Sequence, residues 1–185
     1  MKETRVAIRY AKALFDLAIE MKILDKVKDD AQLVSDVCLQ NREFVLMLKS
    51  PIIKEKSKLV VIREIFKGKI QDVTLKFMSI ITNNGREDII QEIMDQFVII
   101  YKRHMRIMPI TVKSAVKLDK DVRDRIVNII AARRNVSVEL TEKIDESLIG
   151  GFLLEAESLQ YDASISRQIK NLEKEFDVNL YIKGF

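Results

Sequence analysis

The chain has 185 residues, of which 48% are hydrophobic and 32% are charged. This composition excludes an intrinsically disordered chain and provides enough apolar side chains for one large domain or two small ones. The formal net charge is +4, from 32 basic and 28 acidic residues, which is too small and too mixed to indicate nucleic-acid binding by itself.

The single cysteine, Cys38, excludes an internal disulfide and favours a reducing compartment. Because it lies on an apolar helical stretch, we expect a buried structural thiol. No apolar run approaches the roughly 20 residues that cross a bilayer. The opening Met1-Lys2-Glu3-Thr4 passes directly into a helical pattern, so we expect no signal peptide or transit segment. Any membrane association is therefore expected to go through partner proteins.

Six helices are predicted up to about residue 105. They span Thr4–Lys22, Asp25–Gln40, Glu43–Leu48, Lys54–Phe66, Gln71–Thr82 and Glu87 to about His104. Ser50-Pro51 separates two of them because the residue before a proline leaves the helical region. Asn83-Asn84-Gly85 is a stop signal, and Gly85 suits the left-handed conformation that ends many helices. The short connections favour an up-and-down bundle.

The first helix is apolar around most of its circumference. One set of its apolar residues comprises Val6, Tyr10, Ala13, Leu14, Leu17 and Met21, and the other comprises Ala7, Ile8, Ala11, Phe15, Ala18 and Ile19. A helix on the outside of a bundle needs only one apolar stripe. This helix therefore either runs through the centre of the bundle or keeps a second face for a partner, and both can hold.

The sequence pattern changes after Arg106. Strand-like alternation is predicted over Met108–Ser114, again over Val136–Leu140, and around Phe152–Leu154, with a helix over Asp119–Arg134. Pro109 is tolerable only near the start of a strand or at an edge. The expected fold is mainly α, with a six-helix bundle over residues 1–105 and a small α+β domain over residues 106–185.

A Gly150-Gly151 pair precedes the last strand pattern and indicates backbone with positive φ or a close approach to other backbone. The final helix is predicted to begin near Ala163 with Asp162 as its N-cap. Its narrow apolar stripe consists of Ile165, Ile169, Leu172 and Phe176. Val178 to Ile182 is predicted to fray or to form a short strand.

No catalytic or cofactor-binding constellation is recognisable. The one histidine, His104, lies at a helix end where a cation complements the helix dipole, and no phosphate-binding glycine motif occurs. We therefore expect no catalytic residue, no metal and no cofactor. Basic clusters at Lys102-Arg103-His104 and Arg133-Arg134 leave a basic helical nucleic-acid-binding protein as the alternative, which salt-dependent retention on DNA or RNA would support.

Five blocks in order resemble the delta subunit of F-type ATP synthases, whose mitochondrial counterpart is the oligomycin-sensitivity-conferring protein. The blocks are Ile8–Phe15; Phe44, Leu48, Ser50-Pro51, Lys58 and Phe66; Asn84-Gly85-Arg86; Val112–Ala115 with Leu118; and Leu148–Phe152 with Asp162–Ile165. The last block is the most specific. In that block, Gly150, Gly151, Asp162 and Ser164 match positions of the family's motif. In the third block, Gly85 and Arg86 match such positions.

The resemblance implies a stator element that holds the catalytic head while the rotor turns. It implies that the N-terminal domain binds the N-terminal helices of alpha subunits and that the C-terminal domain binds the C-terminal ends of the b subunits. It also implies no nucleic acid and a peripheral place on the cytoplasmic face of a bacterial plasma membrane, or its plastid thylakoid equivalent. We expect the first and fifth helices to border the groove for the alpha helix. The candidate groove residues are Ala11, Leu14, Phe15, Ala18, Leu75 and Met78.

Overall fold

The protein divides into two compact units, Met1–Met105 and Arg106–Phe185. The computed structural model describes the backbone of residues 2–156 and 159–177 and the side chains of residues 5–156 and 160–173. The segment Val178–Ile182 and the side chain of Phe176 lie outside the described residues, so the predictions made for them stay predictions.

The first unit consists of helices connected by short loops. They are α1 (Lys2–Glu20), α2 (Leu24–Gln40), α3 (Arg42–Lys49), α4 (Glu55–Phe66), α5 (Asp72–Asn83) and α6 (Ile90–His104), with a 3₁₀ turn at Glu87–Ile89 before α6. The mainly helical fold class is confirmed. The sixth helix starts three residues later than predicted because the 3₁₀ turn precedes its α-helical part.

The breaks between these helices follow from the local sequence. Ser50 is extended, with φ −72° and ψ 122°, which ends α3 before Pro51. Gly85 has a φ of +65°, the left-handed conformation that the sequence predicts. The N–H of Gly85 donates to the Thr82 carbonyl and the N–H of Arg86 to the Ile81 carbonyl. This pair of bonds is the Schellman arrangement, which satisfies the last carbonyls of α5.

The core of the first unit forms where α1 and α2 pack on α6. Phe15 meets Phe97 edge to face at 6.0 Å between ring centroids, and Phe44 meets Phe66 at 5.9 Å. Cys38 is buried on α2, as expected for a structural thiol. Burial and, secondarily, the charge of Asp95 raise the pKa of this thiol to about 11.

A buried ion pair connects α3, α4 and the turn before α6. The Lys58 ammonium donates to the Leu48 carbonyl at 2.7 Å and to Glu87 Oε1 at 2.5 Å. Lys58 is 2% exposed. A buried lysine needs such partners because an uncompensated charge in the interior is strongly destabilising. The cation also lies near the C-terminus of α3, where it complements the helix dipole.

The second unit is a four-stranded sheet with two helices among its described residues. Its elements are β1 (Ile107–Ser114), α7 (Lys120–Arg134), β2 (Ser137–Ile144), β3 (Phe152–Ala156), β4 (Leu159–Asp162) and α8 (Ile165–Asp177). The strand order is β2-β1-β3-β4, with β1 and β2 parallel and the other two pairs antiparallel. The sequence did not indicate β4, because it is short and its residues Gln160 and Asp162 are polar.

One face of this sheet carries the core of the second unit. Ile110 and Val112 of β1 are buried, and Ile126 of α7, which packs on β2, is buried with them. Pro109 lies inside β1, which is a central strand. It is the third residue of β1, near the start of the strand, which is one of the two positions where a proline is expected to be tolerated.

Candidate partner-binding surfaces

The two predicted apolar sets of α1 do not coincide with its buried and exposed sides, because Leu14 of the first set is buried whereas Ile8 and Ile19 of the second set are 42% and 41% exposed. Ala7, Ala11 and Ala18 have no exposed surface, and α1 makes its most extensive helix contact with α6. Phe15, on the same side of α1, contacts the rings of Phe97 and His104 on α6, so this alanine row faces α6. Leu14 and Phe15 are buried on the same side.

The predicted choice of groove residues is therefore wrong for most of its members. Ala11, Leu14, Phe15, Ala18 and Met78 are core side chains, and a partner helix cannot reach them in the folded bundle. Leu75 is only half-buried, but on a helix it is rotated away from Phe77. Helical periodicity indicates two apolar faces on α1 but does not say which one is buried. Ala11 and Ala18 were therefore predicted to face a partner helix, although they are buried in the bundle.

The other apolar row of α1 stays accessible next to a similar row on α5. We call these residues the α1–α5 surface: Val6, Tyr10, Ala13 and Leu17 on α1, and Val73, Phe77 and Ile80 on α5. Their spacings of three and four residues align each row along one side of its helix. Leu17 is 38% exposed and Ile80 is 55% exposed. An apolar face of this kind, formed by two neighbouring helices, suits the apolar stripe of a third helix.

Aromatic and cationic contacts connect the two halves of this surface. The rings of Tyr10 and Phe77 meet edge to face with centroids 6.5 Å apart. The Arg86 guanidinium carbon lies 5.7 Å from the Tyr10 ring centroid, and that of Arg9 lies 5.9 Å from it. Arg86 Nη1 is buried and forms no hydrogen bond among the described residues. Stacking on Tyr10 therefore fixes the guanidinium that follows the Gly85 turn.

In the second unit, the Gly150-Gly151 turn packs against the start of α8. Gly151 has a φ of +79°, and a Cβ there would overlap the Ala163 carbonyl oxygen. A Cβ on Gly150 would meet only the Cδ1 end of Ile165, at 2.6 Å. The Ile165 N–H donates to the Gly150 carbonyl at 3.0 Å, which fastens the turn to the helix.

The cap of α8 differs from the prediction. The helix begins at Ile165, and the Arg167 N–H donates to Ser164 Oγ at 3.2 Å, so Ser164 is the N-cap. Asp162 acts one step earlier, where it accepts the Ser164 N–H at 2.9 Å. Hydrogen bonds from the Ser164 side chain and then from its N–H lower the pKa of Asp162. The Asp-x-Ser pattern thus encodes a turn that leads into a cap.

The apolar stripe of α8 is exposed. We call Ile165, Ile169 and Leu172 the α8 stripe; they are 42%, 46% and 53% exposed. All three lie on one side of the helix. Such a stripe on an amphipathic helix is normally covered by another apolar surface. The α8 stripe is therefore a second candidate surface for a partner.

Elsewhere in the described part of the chain, the chemistry is that of a solvated surface. Two clefts, of about 420 and 520 Å³, are lined mainly by Lys, Asp and Glu side chains. No group of three or more His, Cys, Asp or Glu residues in the described ranges is arranged to hold a metal ion. Among the same residues, no helix has the length and apolar character needed to span a membrane.

These features define a mainly helical, two-unit protein with exposed helix faces suited to partner helices. Residues 6–176 match the family described as ATP synthase delta (OSCP) subunit. The chain is 36% identical to the ATP synthase subunit delta of Cytophaga hutchinsonii, across 95% of this chain and 96% of that protein. It is 35% identical to the corresponding subunit of Christiangramia forsetii, across 98% of each chain.

A solved structure has the same fold. A chain of the Toxoplasma gondii mitochondrial ATP synthase hexamer superposes with a TM-score of 0.70 at 20% identity, covering 94% of this chain and 98% of that one. The chain belongs to the ATP synthase delta (OSCP) subunit family, whose members are peripheral-stalk subunits of F-type ATP synthases. It is accordingly a peripheral subunit of a membrane-associated complex.

Proposed function

We propose that the chain is a mechanical link with no active site of its own, and that its first unit binds the N-terminal helix of an alpha subunit. The observation that carries the proposal is the α1–α5 surface, where two helices that meet at Tyr10 and Phe77 each present a partly exposed apolar row. An amphipathic helix binds such a groove through apolar residues spaced three and four apart. Arg86 lies against Tyr10 of this surface and would orient the bound helix.

The second unit is proposed to bind the C-terminal ends of the b subunits through the α8 stripe. Exposed isoleucine and leucine side chains in one row favour a helical partner, because such a partner covers the stripe along its whole length. With both units occupied, the chain connects the catalytic head to the membrane-embedded stalk. Its association with the cytoplasmic face of the membrane then depends wholly on these partners.

Co-purification tests this assignment. A tagged chain expressed at its native level should recover the synthase from detergent-solubilised membranes, with one copy of the chain per complex. Titration of the purified chain with a synthetic alpha N-terminal peptide and with a b C-terminal fragment then tests each surface separately. A chain that recovered the complex but bound neither segment would retain its family membership and refute the partner assignment.

A further inference from the structure

A buried carboxylate from α2 caps the N-terminus of α5. Asp30 is 6% exposed, and its Oδ2 accepts the Gln71 N–H at 2.9 Å and the Thr74 hydroxyl at 2.6 Å. Gln71 is the N-cap residue of α5, and its own side chain forms no capping bond. In a capping box, a side chain in the first turn accepts the N-cap N–H. Here a residue 41 positions away supplies that acceptor.

This contact lies at the start of the helix that forms half of the α1–α5 surface. Val73 lies between the two residues that Asp30 holds, and Phe77 follows one turn later. Thr74 has no exposed surface, so the capped turn is fixed within the core. The carboxylate also lies at the positive end of the α5 dipole, which strengthens its hydrogen bonds.

We propose that Asp30 is a positioning residue for partner docking: it fixes the first turn of α5 so that Val73 and Phe77 are aligned with the apolar row of α1. This proposal rests on the assignment of the α1–α5 surface to a partner helix. A preformed groove binds more tightly than one that must be ordered on binding, since ordering opposes association. Asp30 touches no partner itself and acts only through α5.

A purely stabilising role is the alternative, and the chain provides a matched control. The Tyr101 hydroxyl donates to Asp25 Oδ1 at 2.8 Å, which connects α6 to α2. Like the Asp30 contact, this is a hydrogen bond from a neighbouring helix to a carboxylate of α2, but it does not involve α5. Tyr101→Phe therefore weakens the bundle without releasing the α1–α5 surface.

The test uses the full chain with Asp30→Ala, Asp30→Asn, Thr74→Val and Tyr101→Phe. Hydrogen exchange is followed at the Gln71 and Leu75 amides, and affinity is measured for a synthetic peptide of the alpha N-terminal residues. Asp30→Ala should accelerate exchange and weaken peptide binding by up to roughly ten-fold, because the peptide must then order the first turn of α5 when it binds. Asp30→Asn keeps an acceptor oxygen, so it should stay within about three-fold of the wild type.

Thr74→Val keeps the shape of the side chain and removes its hydrogen bond to Asp30. It should shift both exchange and affinity in the same direction as Asp30→Ala. This variant keeps the proposal testable if Asp30→Ala does not fold. Tyr101→Phe should leave α5 exchange and affinity unchanged. The proposal is overturned if the Asp30 and Thr74 variants leave α5 exchange at the wild-type rate, or if Tyr101→Phe weakens the peptide as much as they do. A wild-type chain that failed to bind the peptide would instead refute the docking function, and α5 exchange would still decide whether Asp30 holds that helix.

Discussion

At the residue scale, the two adjacent glycines of the second unit are needed for different reasons. Gly151 has a positive φ and lies against the Ala163 carbonyl and the Ser164 Cα, which are backbone atoms that cannot move aside. Gly150 has no positive φ, and its neighbour is the end of the flexible Ile165 side chain. The family signature therefore combines a strict backbone requirement with a softer steric one.

Alanine substitutions should separate these requirements. Gly151→Ala places a side chain at positive φ and against backbone, so we expect it to lower the free energy of unfolding of the second unit by roughly 2–3 kcal/mol. Gly150→Ala should lower it by less than about 1 kcal/mol, because Ile165 can adopt another rotamer. Chemical unfolding of the full chain, followed in the second unit, provides the comparison. Equal losses from the two variants would contradict this reading.

Two Asp-x-Ser turns make the second unit sensitive to acid. Hydrogen bonds from the side chain and then the N–H of Ser147 lower the pKa of Asp145, and those of Ser164 lower the pKa of Asp162. A carboxyl whose folded pKa is depressed adds stability above its unfolded pKa, ordinarily 3.8, and loses it as the pH falls through the lower folded value.

The double variant Asp145→Asn, Asp162→Asn should melt below the wild type at pH 7, and the difference should be smaller at about pH 3, which lies below the ordinary carboxyl pKa of 3.8. Thermal unfolding at the two pH values measures it. A difference of the same size at both would show that the turns depend on hydrogen bonding alone and not on the charge.

At the element scale, α1 shows how one helix serves a core and a surface. Its alanine row is buried, while Ala13 and Leu17 are exposed on the side of α1 where the half-buried Tyr10 contacts Phe77 of α5. Two neighbouring alanines thus have opposite surroundings, since Ala11 has no exposed surface and Ala13 is exposed. The same alanine-to-arginine substitution can therefore be made at a buried position and at an exposed position of α1, and the two results can be compared directly.

Arginine at each position should give opposite results. Ala11→Arg forces a charge into the α1–α6 contact, which typically costs several kcal/mol, and should unfold the first unit. Ala13→Arg should fold normally and weaken binding of the alpha N-terminal peptide at least ten-fold, because the charge would be desolvated in the groove. Circular dichroism reports folding and calorimetry reports binding. Normal binding by a folded Ala13→Arg variant would move the docking site elsewhere.

The sequence predicts the elements better than their contacts. Proline, glycine and a helical period mark the bounds of α1 to α5 to within a few residues, because these signals act locally. The short strand β4 was missed because its residues Gln160 and Asp162 are polar, and the cap of α8 was assigned to Asp162 although Ser164 forms it. The buried face of α1 could not be chosen because both faces are apolar, and only the position of α6 distinguishes them. The hydrogen bonds of Asp30 could not be predicted either, because its partners are 41 and 44 residues away in the sequence.

At the scale of the whole molecule, the proposed function places two interfaces in series. The first unit would bind an alpha subunit and the second would bind the b subunits, with one covalent chain between them. A connection in series transmits force only while both of its joints hold, so its strength is that of the weaker joint. Damage at either unit should therefore have the same consequence for the synthase, although a different partner is lost.

Complementation of membranes depleted of the chain tests this reasoning. Depletion should abolish proton-driven ATP synthesis while ATP hydrolysis by the detached head persists, and the added wild-type chain should restore synthesis. Neither Ala13→Arg nor Gly151→Val should restore it.

Ala13→Arg should still bind the b fragment, and Gly151→Val should still bind the alpha peptide, because each substitution lies in one of the two compact units. Synthesis at the wild-type rate without the chain would contradict the stator role, and loss of both partners from one substitution would show that the two joints are not independent.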